Sequence, residues 1–224
     1  MIRGNAVYAA LLATALAAGA AGGVRAQDNA DGAAAYIEDV GDAAVAKLAD
    51  PGLDAAERRH ALNTLITEHF AVRDISRFVL ARYWRTATDG EKQAFQDAFV
   101  RTLARRFAPL FEGASEDAFE IVRAQQMGAQ QTSGQDDLLS VGTRIDPPEG
   151  ASDATGTIPV TWRLRPRDGS YRIVDVVVEN VSMAITLRSD YTSAIQNEGG
   201  DVGRLVERIE QTLDNARQGG GDAS

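Results

Sequence analysis

The hydrophobic pattern of this chain changes from a helical to a strand period between residues 113 and 119. Before that point apolar side chains recur at helical spacing, and Phe95, Phe99, Leu103 and Phe107 lie four residues apart. After it they alternate with polar residues, as in the stretch TIPVTWRLR. The first period is typical of helices and the second of strands. A run of helices before a run of strands predicts an α+β domain, with a helical layer packed on a four-stranded antiparallel sheet.

The same patterns place the individual elements. Helices are predicted over residues 33–48, 55–70 and 75–83, from Thr88 to Pro109, from Ser182 to Ile195 and from Asp201 to Leu213. Thr88 with Glu91 three residues later predicts a capping box at the start of the long helix. Four strands are predicted at AFEIVRAQQM, LLSVGTRI, TIPVTWRLR and YRIVDVVV, and Asp168-Gly169 predicts a hairpin between the last two. Residues 27–215 should form a single domain, followed by a disordered tail over 216–224.

Residues 1–26 have the composition of a secretory signal peptide. Arg3 lies in a short basic start, the run from Ala6 to Ala21 carries no charge, and Val24 and Ala26 offer small side chains at a cleavage site. A membrane anchor is the alternative, but the run is short for a span and only mildly apolar. We therefore expect an exported protein, and the bacterial character of the signal predicts the periplasm.

Charge and cysteine content exclude several classes of function. Residues 1–26 hold two arginines and no acid, so their removal changes the formal charge from −9 to −11. An acidic chain argues against nucleic acid as a partner and against electrostatic docking to anionic lipid surfaces. Without cysteine the chain forms no disulfide and offers no acceptor for a lipoprotein anchor. Its stability should therefore come from its apolar core.

Few residues have the spacing that catalysis or metal binding requires. His60 and His69 are nine residues apart, which matches neither a metal pair nor an HExxH motif. With no cysteine and no histidine near the strands, a zinc site is not predicted. Asp175 is unusual because it interrupts a run of β-branched residues. It is either a structural acid bonded to backbone amides or a general base in a cavity, for which the sequence locates no partner.

The stretch Ile173–Val178 is apolar on both faces of its predicted strand. Strict alternation puts Val174, Val176 and Val178 on one face and Ile173 and Val177 on the other. An antiparallel strand usually hides only one face. An apolar cavity between the helices and the sheet would explain the second face, although composition alone does not separate a filled core from a hollow one.

Several stretches together resemble the MlaC family of periplasmic phospholipid-binding proteins, also known as toluene-tolerance auxiliary proteins. They are FVLARYWRTATDGEKQAFQDAFVRTL, YRIVDVVVENVSMAITLRSDYTSAI and GGDVGRLVERIEQTL. The resemblance covers essentially the whole chain after residue 26, in order. Three departures stand out: Ala81 replaces a frequent glycine, Asn180 replaces a glycine in the second stretch, and Phe107 replaces a tyrosine. Because asparagine tolerates positive φ, the change at Asn180 suits a tight turn.

The resemblance implies a soluble, monomeric carrier whose single lipid-binding domain encloses an apolar lipid cavity. Such a carrier moves glycerophospholipid between an outer-membrane lipoprotein–porin complex and an inner-membrane ABC transporter. It needs no cofactor and no metal, because the phospholipid is its cargo. From the matching stretches, the residues expected to line the cavity are Phe99, Leu103, Phe107, Val160, Trp162, Val174, Val176, Val181, Met183 and Leu187. Arg85 and Lys92 are either at the cavity mouth near a phosphate or on a plain solvated face.

Three other interpretations remain open. A hopanoid or another lipid could replace the phospholipid, as one branch of the family is tied to hopanoid gene sets. A small α+β enzyme could act on an apolar substrate with Asp175 as base. A non-lipid adaptor could fill the expected cavity with its own side chains. A one-residue error in alternation would also exchange inward and outward strand residues.

Overall fold

The computed structural model describes residues 17–112, 119–126, 138–145 and 157–218. Six α-helices occur in this part of the chain: α1 Ala17–Leu48, α2 Ala55–His69, α3 Val72–Leu80, α4 Asp89–Phe107, α5 Met183–Asn197 and α6 Val202–Gln218. Short 3-10 helices, Ala81–Arg85 and Ala108–Phe111, follow α3 and α4. Five strands form one sheet: β1 Phe119–Gln126, β2 Leu139–Ile145, β3 Ile158–Arg167, β4 Ser170–Val178 and β5 Val181–Ser182. The α+β prediction of helices packed on an antiparallel sheet is confirmed.

The sheet is a meander in which each strand pairs antiparallel with the next. It has five strands rather than the predicted four, because β5 is only two residues long and shows no period in the sequence. Glu179 and Asn180 join β4 to β5 with φ angles of 49° and 67°. Positive φ at both central residues is the requirement of a type I′ hairpin. Asn180 thus occupies the tight turn expected for it, and Asp168-Gly169 forms the predicted hairpin between β3 and β4.

Helix α1 begins well before the residue at which the pattern predicted it. It starts at Ala17 instead of about residue 33, so its first residues belong to the predicted signal peptide. Ala33 and Ile37 are buried against the sheet, and the Tyr171 hydroxyl donates to the Asn29 carbonyl at 3.1 Å. Cleavage after residue 26 stays a prediction. At the other end α6 reaches Gln218, three residues past the predicted domain end, and residues 219–224 lie outside the described part.

Three clusters of buried side chains hold the fold together. The first joins α3, α4, α5 and α6 around Phe95 and Phe99. The second joins α1, α2 and α4 around Leu48 and Leu65. The third packs α1 on the sheet around Leu164. Helix α1 therefore packs on the apolar face of the sheet, whereas α3 and α5 contact β4 and, with α6, complete the helical layer.

Capping residues define where the helices begin and end. The predicted box is present, since Thr88 Oγ1 accepts from the Glu91 amide and the Glu91 carboxylate accepts from the Thr88 amide. At the end of α1 the buried Arg58 donates to the carbonyls of Leu48 and Asp50, at 2.8 Å and 3.1 Å. These bonds satisfy carbonyl groups that a helix end leaves unpaired. None of the helices described is both long and apolar enough to cross a membrane.

Ala81, one of the departures from the family pattern, has a backbone conformation that favours glycine. Its φ and ψ angles are 51° and −121°, the values of the first central residue of a type II′ turn. A side chain there costs about 1–3 kcal/mol of strain. We expect Ala81→Gly to raise the free energy of unfolding by about 1 kcal/mol, once the greater freedom of glycine in the unfolded chain is subtracted. Urea unfolding would measure this gain.

The matched control for this change is Ala35→Gly. Ala35 is exposed on α1, and glycine inside a helix lowers stability by about 1 kcal/mol. The two glycine substitutions should therefore act in opposite directions. Equal losses of stability would show that Ala81 is not strained.

Candidate functional site

The apolar face of β3 and β4 carries part of the predicted lipid-binding set. Trp162 lies opposite Val176, and Val160 lies opposite Val178. Residues directly opposite in a ladder point to the same side of the sheet. Val160 is buried, and Trp162 and Val176 both pack against the cluster beneath α1. The structure thus brings three of the predicted residues onto one surface.

A β-bulge explains why the stretch Ile173–Val178 looks apolar on both faces. Asp175 pairs with Arg163 but Ile173 pairs with Leu164, so Val174 is an extra residue without an opposite partner. The bulge shifts the alternation by one, and Ile173 joins the face that Val176 occupies. The simple alternation that grouped Val174 with Val176 is therefore wrong for this strand. Ile173, one of the two residues assigned to the second apolar face, therefore belongs to the core face, whereas Val177 stays on the opposite face.

The indole of Trp162 is fixed by a hydrogen bond within the sheet. Its Nε1 donates to Thr143 Oγ1 at 3.0 Å, and Thr143 is itself buried. The donor of a buried tryptophan needs such a partner, because an unpaired N–H costs free energy when it leaves water. The ring is thereby held with its apolar surface on the sheet face.

Residues predicted from the helices occupy a different place. Phe99 is 1% exposed, stacks on Phe95 with 5.6 Å between ring centroids, and meets Tyr191 edge-on at the same separation. Leu187 belongs to the same cluster. Leu103 lies between this cluster and the one that contains Phe107. These side chains pack against other helices.

The two remaining predicted residues lie on either side of the junction between β5 and α5. Met183 is its half-buried first residue, and Val181 is 56% exposed on β5. The ten predicted residues are therefore divided between the sheet face, the helical clusters and the surface. In the part of the chain described here, the enclosed cavity expected between the layers is not shown. Their role in lining a lipid site stays a prediction.

Arg85 and Lys92, the two cations suggested for a cavity mouth, flank the start of α4. Arg85 is exposed at the end of its 3-10 helix. The Lys92 amine is 3.1 Å from the Asp89 carboxylate and 5.6 Å from the ring centroid of Trp84. Lys92 is thus engaged by its own helix and by a neighbouring ring.

Asp175 is a structural residue at the junction of β4 and α5. Its Oδ1 accepts from the Ala184 amide at 2.9 Å, and its Oδ2 accepts from Ser182 Oγ at 2.6 Å and from Arg163 Nη1 at 3.0 Å. Ser182 in turn caps α5 by accepting from the Ile185 amide. A carboxylate at a helix N-terminus is also favoured by the helix dipole. This geometry supports the structural interpretation over the general base.

Two grooves open beside α5. One has a volume of about 510 Å³ and is lined in part by Tyr191, Leu205 and Leu213 from α5 and α6. The other, about 450 Å³, lies between α3, α5 and β3. Sequence reasoning missed both, because their residues are far apart in the chain and no local period marks them. Within the described residues no group of His, Asp and Glu is arranged to hold a metal ion.

Burial raises the pKa of Tyr191 to about 12 from an ordinary value of 10.0. The neutral phenol is therefore favoured in the folded protein. The stability that the raised pKa of Tyr191 contributes is fully present below pH 10 and is lost as the pH rises towards 12. We expect absorbance at 295 nm to show a tyrosine that ionises near pH 12. Tyr191→Phe should remove that step, and its persistence in the variant would contradict the assignment.

The architecture, helices packed on one antiparallel meander, is shared with a solved structure. It is the phospholipid-binding protein from Ralstonia solanacearum in complex with a phospholipid. The TM-score is 0.58 at 15% identity, over 80% of this chain and 94% of the other. The family model described as MlaC protein matches residues 38–211. The chain belongs to the MlaC family. No curated protein is significantly similar in sequence.

Proposed function

We propose that this protein is a periplasmic lipid carrier that binds the acyl chains of a glycerophospholipid. The observation that carries the proposal is the MlaC match over residues 38–211, which includes the sheet and all of α2 to α5. The fold shared with a protein solved in complex with a phospholipid supports it. MlaC proteins are in general periplasmic, in agreement with the signal peptide predicted at residues 1–26.

The physical task of such a carrier is to keep acyl chains out of water. Burying one methylene is worth about 0.8 kcal/mol, so two chains of about 15 methylenes each gain roughly 24 kcal/mol from an apolar site. A headgroup can remain hydrated. The carrier therefore needs apolar walls and no reactive groups, which suits the structural role of Asp175.

We place the lipid tails on the sheet face formed by Val160, Trp162 and Val176. Helix α1 packs on the same side of the sheet, around Leu164 and Ile173. The bulge at Val174 brings Ile173 onto this face, so the face has more apolar residues than strict alternation would give it. Leu103 and Phe107 of α4 are the helical residues we assign to the opposite wall. Both are only half-buried, in contrast to Phe99.

A pair of neighbouring substitutions tests this placement. Val160→Lys would put a charge on the proposed tail surface, whereas Thr161→Lys would put it on the opposite face of the same strand. The first variant should lose bound lipid and the second should keep it. Circular dichroism and thermal melting of both proteins would show that each is folded. Equal lipid content in two folded variants would contradict the placement.

The function itself is tested by native mass spectrometry of the protein purified from periplasm without detergent, followed by lipid extraction. We expect close to one diacyl phospholipid per chain. Recovery of a hopanoid would move the protein to the other lipid class of the family. A protein that is empty, and that takes up no lipid from vesicles, would refute the carrier function.

The route of the lipid is a further part of the proposal. In line with the family, we propose that the carrier works as a monomer between an outer-membrane lipoprotein–porin complex and an inner-membrane ABC transporter. Loaded protein should deliver labelled lipid to vesicles containing such a transporter faster than to protein-free vesicles. Equal delivery rates would contradict a specific partner.

A further inference from the structure

A cationic groove lies between α3, α5 and β3, on the surface of a protein that is acidic overall. Its volume is about 450 Å³. Three arginines and one aspartate line it, together with a phenylalanine and an alanine: Asp74, Arg77, Phe78, Ala81, Arg165 and Arg188. The three arginines come from three different elements, so the fold and not a basic sequence run brings them together.

The charges in this groove are not balanced. Asp74 accepts a hydrogen bond from Arg165 at 3.0 Å, an ion pair that also ties α3 to β3. Among the described residues no carboxylate forms an ion pair with Arg77 or Arg188. The groove thus keeps a formal charge of about +2, while the chain as a whole carries −9. Two exposed guanidinium groups without a carboxylate partner in a shallow groove attract anions.

An aromatic ring orients one of these guanidinium groups. The Cζ atom of Arg188 lies 4.9 Å from the ring centroid of Phe78. Stacking on a ring uses the face of the guanidinium and leaves its N–H groups at the edge available to a ligand. Phe78 is 39% exposed, and the guanidinium of Arg188 covers part of its ring. The ring contact therefore favours positions of the Arg188 guanidinium that face the groove.

We propose that this groove binds a phosphate group through Arg77 and Arg188. Guanidinium forks match phosphate oxygens with two parallel hydrogen bonds, and the net positive charge of the groove attracts an anionic phosphate group. The phosphate belongs either to a free phosphate or to the headgroup of a phospholipid. The inference does not rest on lipid carriage, because the charges and the groove exist without a bound tail.

The test is a titration of the full chain, labelled with ¹⁵N, at low ionic strength. Inorganic phosphate, glycerophosphoglycerol and sodium chloride of matched ionic strength are added in separate experiments. We expect phosphate or the headgroup compound to shift the arginine side-chain signals of Arg77 and Arg188 and the amide signals around them. Shifts with inorganic phosphate would indicate a free-phosphate site, and shifts with the diester alone would indicate a headgroup site.

Variants separate a site from a general charge effect. Arg77→Gln with Arg188→Gln should weaken binding by about tenfold or more, because each lost bond to a charged group is worth at least a factor of ten. The matched control is Arg204→Gln, an exposed arginine on α6 outside this groove. It should leave the affinity unchanged. All three positions of substitution lie on the surface, and thermal melting would verify the fold.

Three results would overturn the proposal. Chloride could give the same shifts as the phosphate compounds, the control could weaken binding as much as the double variant, or the double variant could bind like the unchanged protein. A groove that fails these tests leaves the lipid-carrier function untouched, since that function is measured by extracted lipid. Conversely, phosphate binding by a protein that carries no lipid would support the phosphate site and not the lipid-carrier function.

Discussion

Replacing Asp175 with alanine should lower the free energy of unfolding by about 3 kcal/mol. The carboxylate is 8% exposed and accepts hydrogen bonds from Ser182, Ala184 and Arg163. Its loss would leave the Arg163 guanidinium without its partner and would weaken the start of α5. Removing one member of a buried pair costs about 3–5 kcal/mol, and the partial exposure of Arg163 places the effect at the lower end. Urea unfolding followed by circular dichroism would measure it.

Two further variants make this result specific. Asp175→Asn keeps an oxygen that can accept from the Ala184 amide, so it should lose less than the alanine variant. Asp74→Ala removes a carboxylate that is 41% exposed and pairs with Arg165, and such a surface pair is worth about 1 kcal/mol or less. A similar small loss for Asp175→Ala would contradict the structural role. An activity that Asp175→Asn abolished in a fully stable protein would instead revive the enzyme hypothesis.

The sequence marked Asp175 as unusual but did not supply its partners. An acid among β-branched residues has to be paired if it is buried, and that much follows from the cost of an isolated charge. Ser182 and Ala184 come close to it only because Glu179 and Asn180 turn the chain back on itself. The position of a two-residue hairpin was suggested by asparagine, whereas the contacts it creates depend on the exact register.

The sequence placed the bounds of the four long strands and of α2 and α4 well, but it did not predict which way the side chains of β4 face, and the helix predicted over 75–83 is observed as Val72–Leu80. Helical periods and capping boxes are local signals, so α2 and α4 begin where the sequence placed them. No local sequence signal marks the bulge at Val174. It inserts one residue into a period of two, and every residue before it changes face without any change in composition. Because the bulge was not predicted, Ile173 was assigned to the wrong face of the strand.

The candidate sites depend on distances that no single stretch encodes. Arg77, Arg165 and Arg188 were each ordinary surface charges in the sequence, and only the packing of α3 on α5 and the Asp74 ion pair unite them. The predicted lipid-binding residues, in contrast, were grouped in the prediction but are separated in the structure. Family likeness grouped them, but Phe99 lies in the cluster of α3 to α6 whereas Trp162 packs against the cluster beneath α1.

Phe99→Ala should also have a large effect, a loss of about 3–5 kcal/mol in the free energy of unfolding. Phe99 fills the centre of the cluster formed by α3, α4, α5 and α6, where it touches Phe95 and Tyr191. Removing the ring would leave a cavity that the surrounding helices cannot close. The measurement is urea unfolding of protein from which lipid has been extracted.

This experiment also decides between two roles for Phe99, because a residue that lines a lipid site has no packed neighbours on one side when the lipid is gone. Its truncation would then forfeit few contacts, and delipidated protein would lose no more than about 2 kcal/mol. Phe107, two turns further along α4 and only half-buried, provides the comparison. We expect Phe107→Ala to fall in that lower range and to reduce the bound lipid, whereas Phe99→Ala destabilises the protein with or without lipid. The reverse order of the two losses would move the lipid site from the sheet face into the helical layer.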